Sequence, residues 1–129
     1  MRRLTLLTVL VLSLLSTPVL GEWKWLGKST DGDVFYVDDG IRKNGGYIYY
    51  WIMSDHITPG PYGIMSQKTY YQGDCRSFRS RGLSLISYTE SMGRGTGETS
   101  QPPTPNNWEY SSPDSVGGNL LRIVCNLVK

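Results

Sequence analysis

The sequence is poor in the residues that usually carry chemistry. It holds one histidine, His56, and two cysteines, Cys75 and Cys125. One imidazole and two widely separated thiols do not make a zinc site. No Gly-X-Ser-X-Gly elbow marks a nucleophile. Asp55 adjoins His56, but neighbouring side chains on a strand point to opposite faces, so the two do not read as a base and its orienting acid. Glu90, Glu98 and Glu109 sit in unrelated contexts and offer no glycosidase-type carboxylate pair. Asp31-Gly32-Asp33 and Asp38-Asp39-Gly40 flank a candidate strand without the spacing of an EF-hand loop. They read as turn-forming aspartates rather than a weak calcium site. Gly93-Arg94-Gly95-Thr96-Gly97 is rich in glycine, yet Gln101-Pro102-Pro103 follows where a phosphate loop would open a helix. No catalytic residue, cofactor or metal is therefore expected, and the chain is not read as an enzyme.

An excess of either charge is lacking as well. The 13 Lys and Arg are scattered among 11 Asp and Glu. Without Arg2 and Arg3 the two signs balance. A nucleic-acid partner would need a clustered basic face, so none is expected. There is no Asn-X-Ser/Thr sequon and no internal repeat. The one long apolar run lies at the N-terminus. Met1-Arg2-Arg3 followed by Leu4 to Leu15 and then Ser16 to Gly21 has the layout of a cleaved secretory signal, and the run is too short for a comfortable membrane span. Residues 1–21 are thus expected to be a signal peptide and residues 22–129 one domain. A lipoprotein would carry cysteine where Glu22 stands, so the exported chain is expected to have no lipid anchor and to reside in the periplasm or outside the cell. In an oxidising compartment Cys75 and Cys125 read as a disulfide, the alternative being two buried thiols exposed to oxidation. A closed loop of that size is worth about 4 kcal/mol in the chain-entropy model.

What remains is rich in aromatic and β-branched residues, with 9 tyrosines and 4 tryptophans. Trp23 to Gly27 and Asp33 to Val37 read as strands, separated by the turn cluster Lys28 to Gly32. Ile41-Arg42-Lys43 reads as a helical turn or a short strand, and Asn44-Gly45-Gly46 is a hairpin signal. Tyr47 to Ser54 is the strongest strand signal in the chain. Its alternation puts Tyr47, Tyr49, Trp51 and Met53 on one face and Ile48, Tyr50 and Ile52 on the other. One row should meet a helix, and the other needs cover from a loop, a partner subunit or a ligand. Ser66 to Gln72 reads as the next strand, with Gly73-Asp74 as a turn or bulge. Cys75 then opens a long extended segment to Tyr88, bent at Gly82. Met92 to Gly97 reads as a flexible loop, Thr99 to Asn107 as the least structured stretch, and Trp108-Glu109-Tyr110 as a short strand or staple. Ser112 to Val128 reads as the one long helix, capped by Ser112 with Pro113 at its first position. Val116, Leu120, Ile123, Val124 and Leu127 would form its apolar stripe, and Gly117 and Gly118 weaken it. Strands first and a helix last point to an α+β fold, an antiparallel sheet with a C-terminal helix on one face.

Several of these features together resemble the surface-adhesin protein E family of bacterial envelope proteins. They are Phe35-Tyr36-Val37-Asp38 with Ile41-Arg42-Lys43, the aromatic strand Tyr47 to Met53, and Ser66 to Tyr71 leading into Asp74-Cys75. Met92-Gly93 with Gly95 follows, then Trp108-Glu109-Tyr110, Pro113, Ser115-Val116, Leu120-Leu121 and Val124-Cys125. The resemblance spans nearly the whole chain after residue 21. It implies about six antiparallel strands, a C-terminal helix, a Cys75–Cys125 bridge, dimerisation, and adhesion to host extracellular-matrix proteins.

The expected function is therefore that of an exported binding module, with a protein or envelope component as partner. The alternative is an envelope assembly subunit acting as a homodimer through its open sheet face. Tyr47, Tyr49, Trp51 and Tyr62, the last in the rigid Thr58 to Gly63 loop, are the candidate contact residues. Chain purified from an exporting bacterial cell is expected to begin at Glu22 and to be two hydrogens lighter without reductant than with it. Intact-mass spectrometry checks both, and a mass retaining Met1 or showing free thiols would sink the export reading.

Overall fold

The computed structural model describes residues 22–103 and 105–129, so the proposed signal segment lies outside the described residues. Seven strands make one sheet: β1 (Trp23–Lys28), β2 (Val34–Asp38), β3 (Arg42–Asn44), β4 (Tyr47–Asp55), β5 (Ser66–Asp74), β6 (Arg79–Tyr88) and β7 (Gly97–Ser100). One helix follows, α1 (Val116–Leu127). The strand order is β1-β2-β4-β5-β6-β7 with every pairing antiparallel, and β3 pairs with β4 off this path. β2 occupies the C-terminal half of one side of β4 (Val37 opposite Ile52), and β3 occupies the N-terminal half (Lys43 opposite Ile48). A long strand can seat two short ones end to end because each takes a separate set of backbone groups. The ambiguous Ile41-Arg42-Lys43 stretch is thus strand, and Gly45 and Gly46 take the positive φ of a tight hairpin turn.

β4 is the two-faced strand that its alternation indicated. Ile48, Tyr50 and Ile52 are buried against Val37, Leu121 and Val124. Tyr50 stacks on Tyr71 with ring centroids 5.6 Å apart. Burial, and then the neighbouring Tyr71, pushes the Tyr50 phenol well above its ordinary value. The Tyr71 phenol is also raised, first by burial and then by Glu109, against a lowering hydrogen bond from Thr69. These two tyrosines are core residues rather than reactive groups. The second row is treated below.

Three expectations need correction. Gly73 and Asp74 do not turn the chain but belong to β5, with Gly73 opposite Ile48. A Cβ at Gly73 would stand 2.9 Å from the Ile48 side chain and 3.0 Å from the Tyr50 ring, so the position is kept empty for them. The turn falls one step later, over residues 75–78, with Phe78 at φ 51°, so Cys75 opens a turn instead of a strand. Gly97, expected in the flexible loop, and Thr99 and Ser100, expected in the least structured stretch, belong to β7, paired with Leu85 to Tyr88. Its four exposed residues carry no apolar alternation, so only the pairing identifies it. The expected irregularity at Gly82 is present: the β5–β6 register shifts between Tyr70 and Tyr71, and buried Pro102 packs over Gly82.

The helix also starts later than its capping residues indicated. Ser115, not Ser112, is the N-cap, and its Oγ accepts from the Gly118 N–H at 3.1 Å. The Ser112 carbonyl accepts both the Ser115 N–H and its hydroxyl, folding 112–115 into a turn that leads into the helix. The buried stripe is also narrower than the spacing indicated. Leu121 and Val124 are buried, while Val116 and Leu127 are 46% and 45% exposed. The Cys75–Cys125 disulfide joins the turn after β5 to α1, with a Cα–Cα distance of 5.8 Å and a sequence separation of 50 residues. Closing such a loop is worth about 4 kcal/mol to a domain with a small core.

Gly118 has a specific role here. A Cβ on it would collide with the carbonyl oxygen of Ser112. Gly118→Ala is therefore expected to destabilise the protein by about 2 kcal/mol, although alanine is intrinsically the better helix former by about 1 kcal/mol. Urea unfolding midpoints check this. A stabilised variant would show that the approach of Ser112 to the helix is misplaced.

Candidate functional site

The sheet face opposite α1 carries the second row of β4. Cross-strand partners share a face, so the register extends this row sideways. Tyr49 lies opposite Gln72 and Gln72 opposite Arg81; Trp51 lies opposite Tyr70; Met53 lies opposite Lys68 and Lys68 opposite Ile86. β3 adds Arg42 opposite Tyr49, and β2 adds Tyr36 opposite Met53. The result is an aromatic surface threaded with cations.

Its rings are ordered by contacts with one another. Trp51 stacks on Tyr70 at 4.9 Å between centroids, and Tyr49 lies 6.2 Å from Tyr70 on the other side. The cations are set among them. The Lys68 ammonium lies 5.0 Å from the Tyr88 ring centre and 5.4 Å from that of Trp23. Arg42 donates to the Tyr70 hydroxyl at 2.9 Å. Gln72 donates to the Tyr49 hydroxyl at 3.0 Å and accepts from Arg81 Nε at 2.6 Å. Rings and guanidinium groups in such an array are favourable at modest cost because the cation keeps partial hydration.

Part of the cover expected from a loop, partner subunit or ligand is supplied by the chain itself. Trp108 rests on Tyr47 at 5.6 Å, held in place by the Glu109–Ser80 backbone bridge. The Arg79 and Arg81 guanidinium groups lie 4.1 Å and 4.4 Å from the Trp108 ring centre. A second copy is not needed to cover that end of the row, which removes the physical ground for the homodimer alternative there. Tyr49, Trp51 and Tyr70 keep part of their surface in water.

Tyr62 is not brought to this group. It sits at φ 60° and 99% exposed in a single 3-10 turn (Pro61–Gly63), beyond the Asp55 end of β4. Tyr47 opens the same strand, about 27 Å away at roughly 3.4 Å per residue. The Met92 to Gly97 stretch, read as a flexible loop, is pinned at its start. Asp55 Oδ1 accepts the Met92 N–H at 2.8 Å, and Ser66 Oγ accepts that of Gly93 at 2.9 Å. His56 has a carboxylate partner after all, but it is Asp33 rather than Asp55: Nδ1 lies 3.1 Å from Asp33 Oδ1. Among the described residues no hydroxyl or thiol is hydrogen-bonded to this imidazole, so the pair stands without a nucleophile. Asp38 acts as a turn residue, with its Oδ1 accepting the Gly40 N–H at 2.8 Å.

The residues that reading along the chain missed are Arg42, Lys68, Tyr70, Arg81 and Trp108. Alternation in β5 already sets Lys68 and Tyr70 on one side of that strand. Which face of the sheet this side becomes depends on the β4–β5 register.

A sheet built as an antiparallel meander, backed by one disulfide-stapled helix and carrying partly exposed aromatic rings on its far side, defines a small α+β domain. The sequence profile of the family described as surface-adhesin protein E matches residues 23–126. The chain belongs to that family. Crystal form II of Haemophilus influenzae protein E has a similar fold, with a TM-score of 0.61 at 18% identity over 83% of this chain and 90% of that one. Protein E from non-typeable Haemophilus influenzae gives a TM-score of 0.55 at 17% identity over 85% and 79%. No curated protein sequence matches the chain. Family membership supports reading the chain as an exported, surface-exposed protein.

The positioning of Trp108 runs back to a carboxylate. Asp74 is 6% exposed and accepts from the N–H groups of Arg76 and Ser77 and from Arg79 Nε at 3.0 Å. Burial alone would raise its carboxyl. The hydrogen bonds from Ser77, Arg79 and Arg76 and the guanidinium charge of Arg79 outweigh burial and hold it below the ordinary carboxylate value. A depressed folded value means that this stabilisation is complete above the unfolded value near 3.9 and is lost as pH falls through the folded one. Asp74→Asn should remove that component. Compared by urea unfolding at about pH 5 and about pH 2.5, the variant is expected to lose less stability on acidification than the parent. Equal losses would show that Asp74 is not linked to folding.

Proposed function

We propose that residues 1–21 are a cleaved signal and residues 22–129 form one exported, non-catalytic adhesion module. It holds a component outside the cell or in the envelope through the sheet face that α1 does not cover. Tyr49 and Trp51 are the central contacts. Tyr47 is a peripheral one beneath Trp108, and the Tyr62 turn is a separate contact at the far end. The observation that carries this reading is the set of ordered but partly exposed rings on that face. Aromatic side chains are enriched among residues that dominate binding energy, because they offer a large rigid area at small entropic cost. The family and the likeness to protein E support the same reading.

The test is binding of the purified mature chain to immobilised extracellular-matrix proteins, measured by biolayer interferometry. Trp51→Ala is expected to weaken binding at least about tenfold, as for a central aromatic contact. Leu127→Ala, exposed on the helix side, should leave binding unchanged. Equal binding by the Trp51 variant and its parent would move the contact surface elsewhere.

A further inference from the structure

Two grooves open on the helix-free face and share a wall. One, of about 440 Å³, is lined by Arg42, Lys43, Asn44, Tyr49 and Tyr70. The other, of about 200 Å³, is lined by Trp23, Asp38, Trp51, Lys68, Ile86 and Tyr88. The stacked Trp51–Tyr70 pair stands between them. Tyr49 and Trp51, two residues apart on β4, are spaced by about 7 Å along the strand. The two grooves therefore form one shallow trough crossing β4 and β5, with aromatic walls and a cation in each half.

The charge in this trough is unbalanced. Arg42 bonds to a phenol, Arg81 beside it to the amide oxygen of Gln72 and the Asn106 carbonyl, and Lys68 lies among rings. None of the three is in an ion pair among the described residues, where the ion pairs are Arg79–Asp74 and His56–Asp33. The carboxylate lining the trough is Asp38, already engaged by the Gly40 N–H. An Arg guanidinium has five donors in a fixed fork, so Arg42 keeps several for an incoming anion.

We infer that this trough binds an acidic polysaccharide, with sugar rings lying against Tyr49, Trp51 and Tyr70 and their carboxylate or sulfate groups meeting Arg42, Lys68 and Arg81. An extended peptide gains its affinity on a sheet by pairing with an edge strand, whereas the floor of the trough is β4 and β5, both interior strands of the sheet. Its walls also lack the deep apolar pockets that anchor peptide side chains, and offer phenol, amide and ammonium groups instead. Saccharide rings have apolar faces and polar rims, and acidic substituents supply the missing negative charge. This inference rests on the adhesion reading and narrows the ligand class at the same surface.

The experiment is isothermal titration of the full mature chain with short heparin oligosaccharides, hyaluronan oligosaccharides and neutral maltooligosaccharides. Heparin carries sulfates and hyaluronan only carboxylates, so the pair separates the two sources of charge. Binding of either, with none to the neutral sugar, is expected. Arg42→Ala, on an exposed strand residue, and Lys68→Met should each weaken binding about tenfold, the loss of one charge-assisted contact. Arg122→Ala on the exposed side of α1 should not weaken it, and thermal melts establish that each variant is folded. Failure of both acidic oligosaccharides to bind overturns the inference, as does a loss in Arg122→Ala equal to that in Arg42→Ala. If acidic oligosaccharides fail while Trp51-dependent binding to matrix proteins persists, the ligand class is wrong and the adhesion reading stands. If both fail, both are wrong.

Discussion

Among the described residues, one helix is the only regular layer over this sheet. At 12 residues α1 is about 18 Å long, while six strands side by side span about 24 Å. The helix can therefore bury only the middle of one face, where Ile48, Tyr50, Ile52 and Val37 meet Leu121 and Val124. The small contact explains why the attachment is covalent. The Cys75–Cys125 bridge removes freedom from the unfolded chain and compensates for the area the helix cannot cover. It also explains the irregular cover elsewhere, such as Pro102 over Gly82 and the close approach of Ser112 to Gly118. A domain with so little apolar burial loses a large share of its stability with any one of these contacts.

The same shortage leaves the other face without a helix and only partly covered, by Trp108 over Tyr47. A bare sheet face with exposed aromatic residues invites aggregation unless charge interrupts it. Here Arg42, Lys68, Arg79 and Arg81 are placed among the rings, so the surface is both amphipathic and hydrated. Asp74 anchors Arg79, Arg79 lies over Trp108, and Trp108 covers Tyr47. The aromatic surface is thus ordered, with its side chains held by their neighbours. Preformed rings and guanidinium groups pay less entropy on binding than mobile ones, the condition under which a shallow surface can bind at all.

The fold class was legible along the chain, since the alternation of Tyr47 to Met53 and the late helical spacing leave few arrangements open. The disulfide was legible too, because only two cysteines exist to form it. Local patterns are enough for such features, as each depends on residues a few positions apart or on simple counting. What the chain order did not disclose depends on contacts between distant residues. Gly73 looks like a turn until Ile48 and Tyr50 are seen to need its space. Ser112 looks like a cap until Ser115 takes the Gly118 N–H. β7 has no pattern of its own and exists through pairing with β6. The aromatic surface itself is a product of register: a shift of one residue between β4 and β5 would turn Lys68 and Tyr70 toward the helix and dissolve the array, because side chains alternate with a period of two. Periodicity within a segment thus settles which residues share a face of their own strand, whereas cross-strand hydrogen bonding, between residues tens of positions apart, settles which of those faces meet.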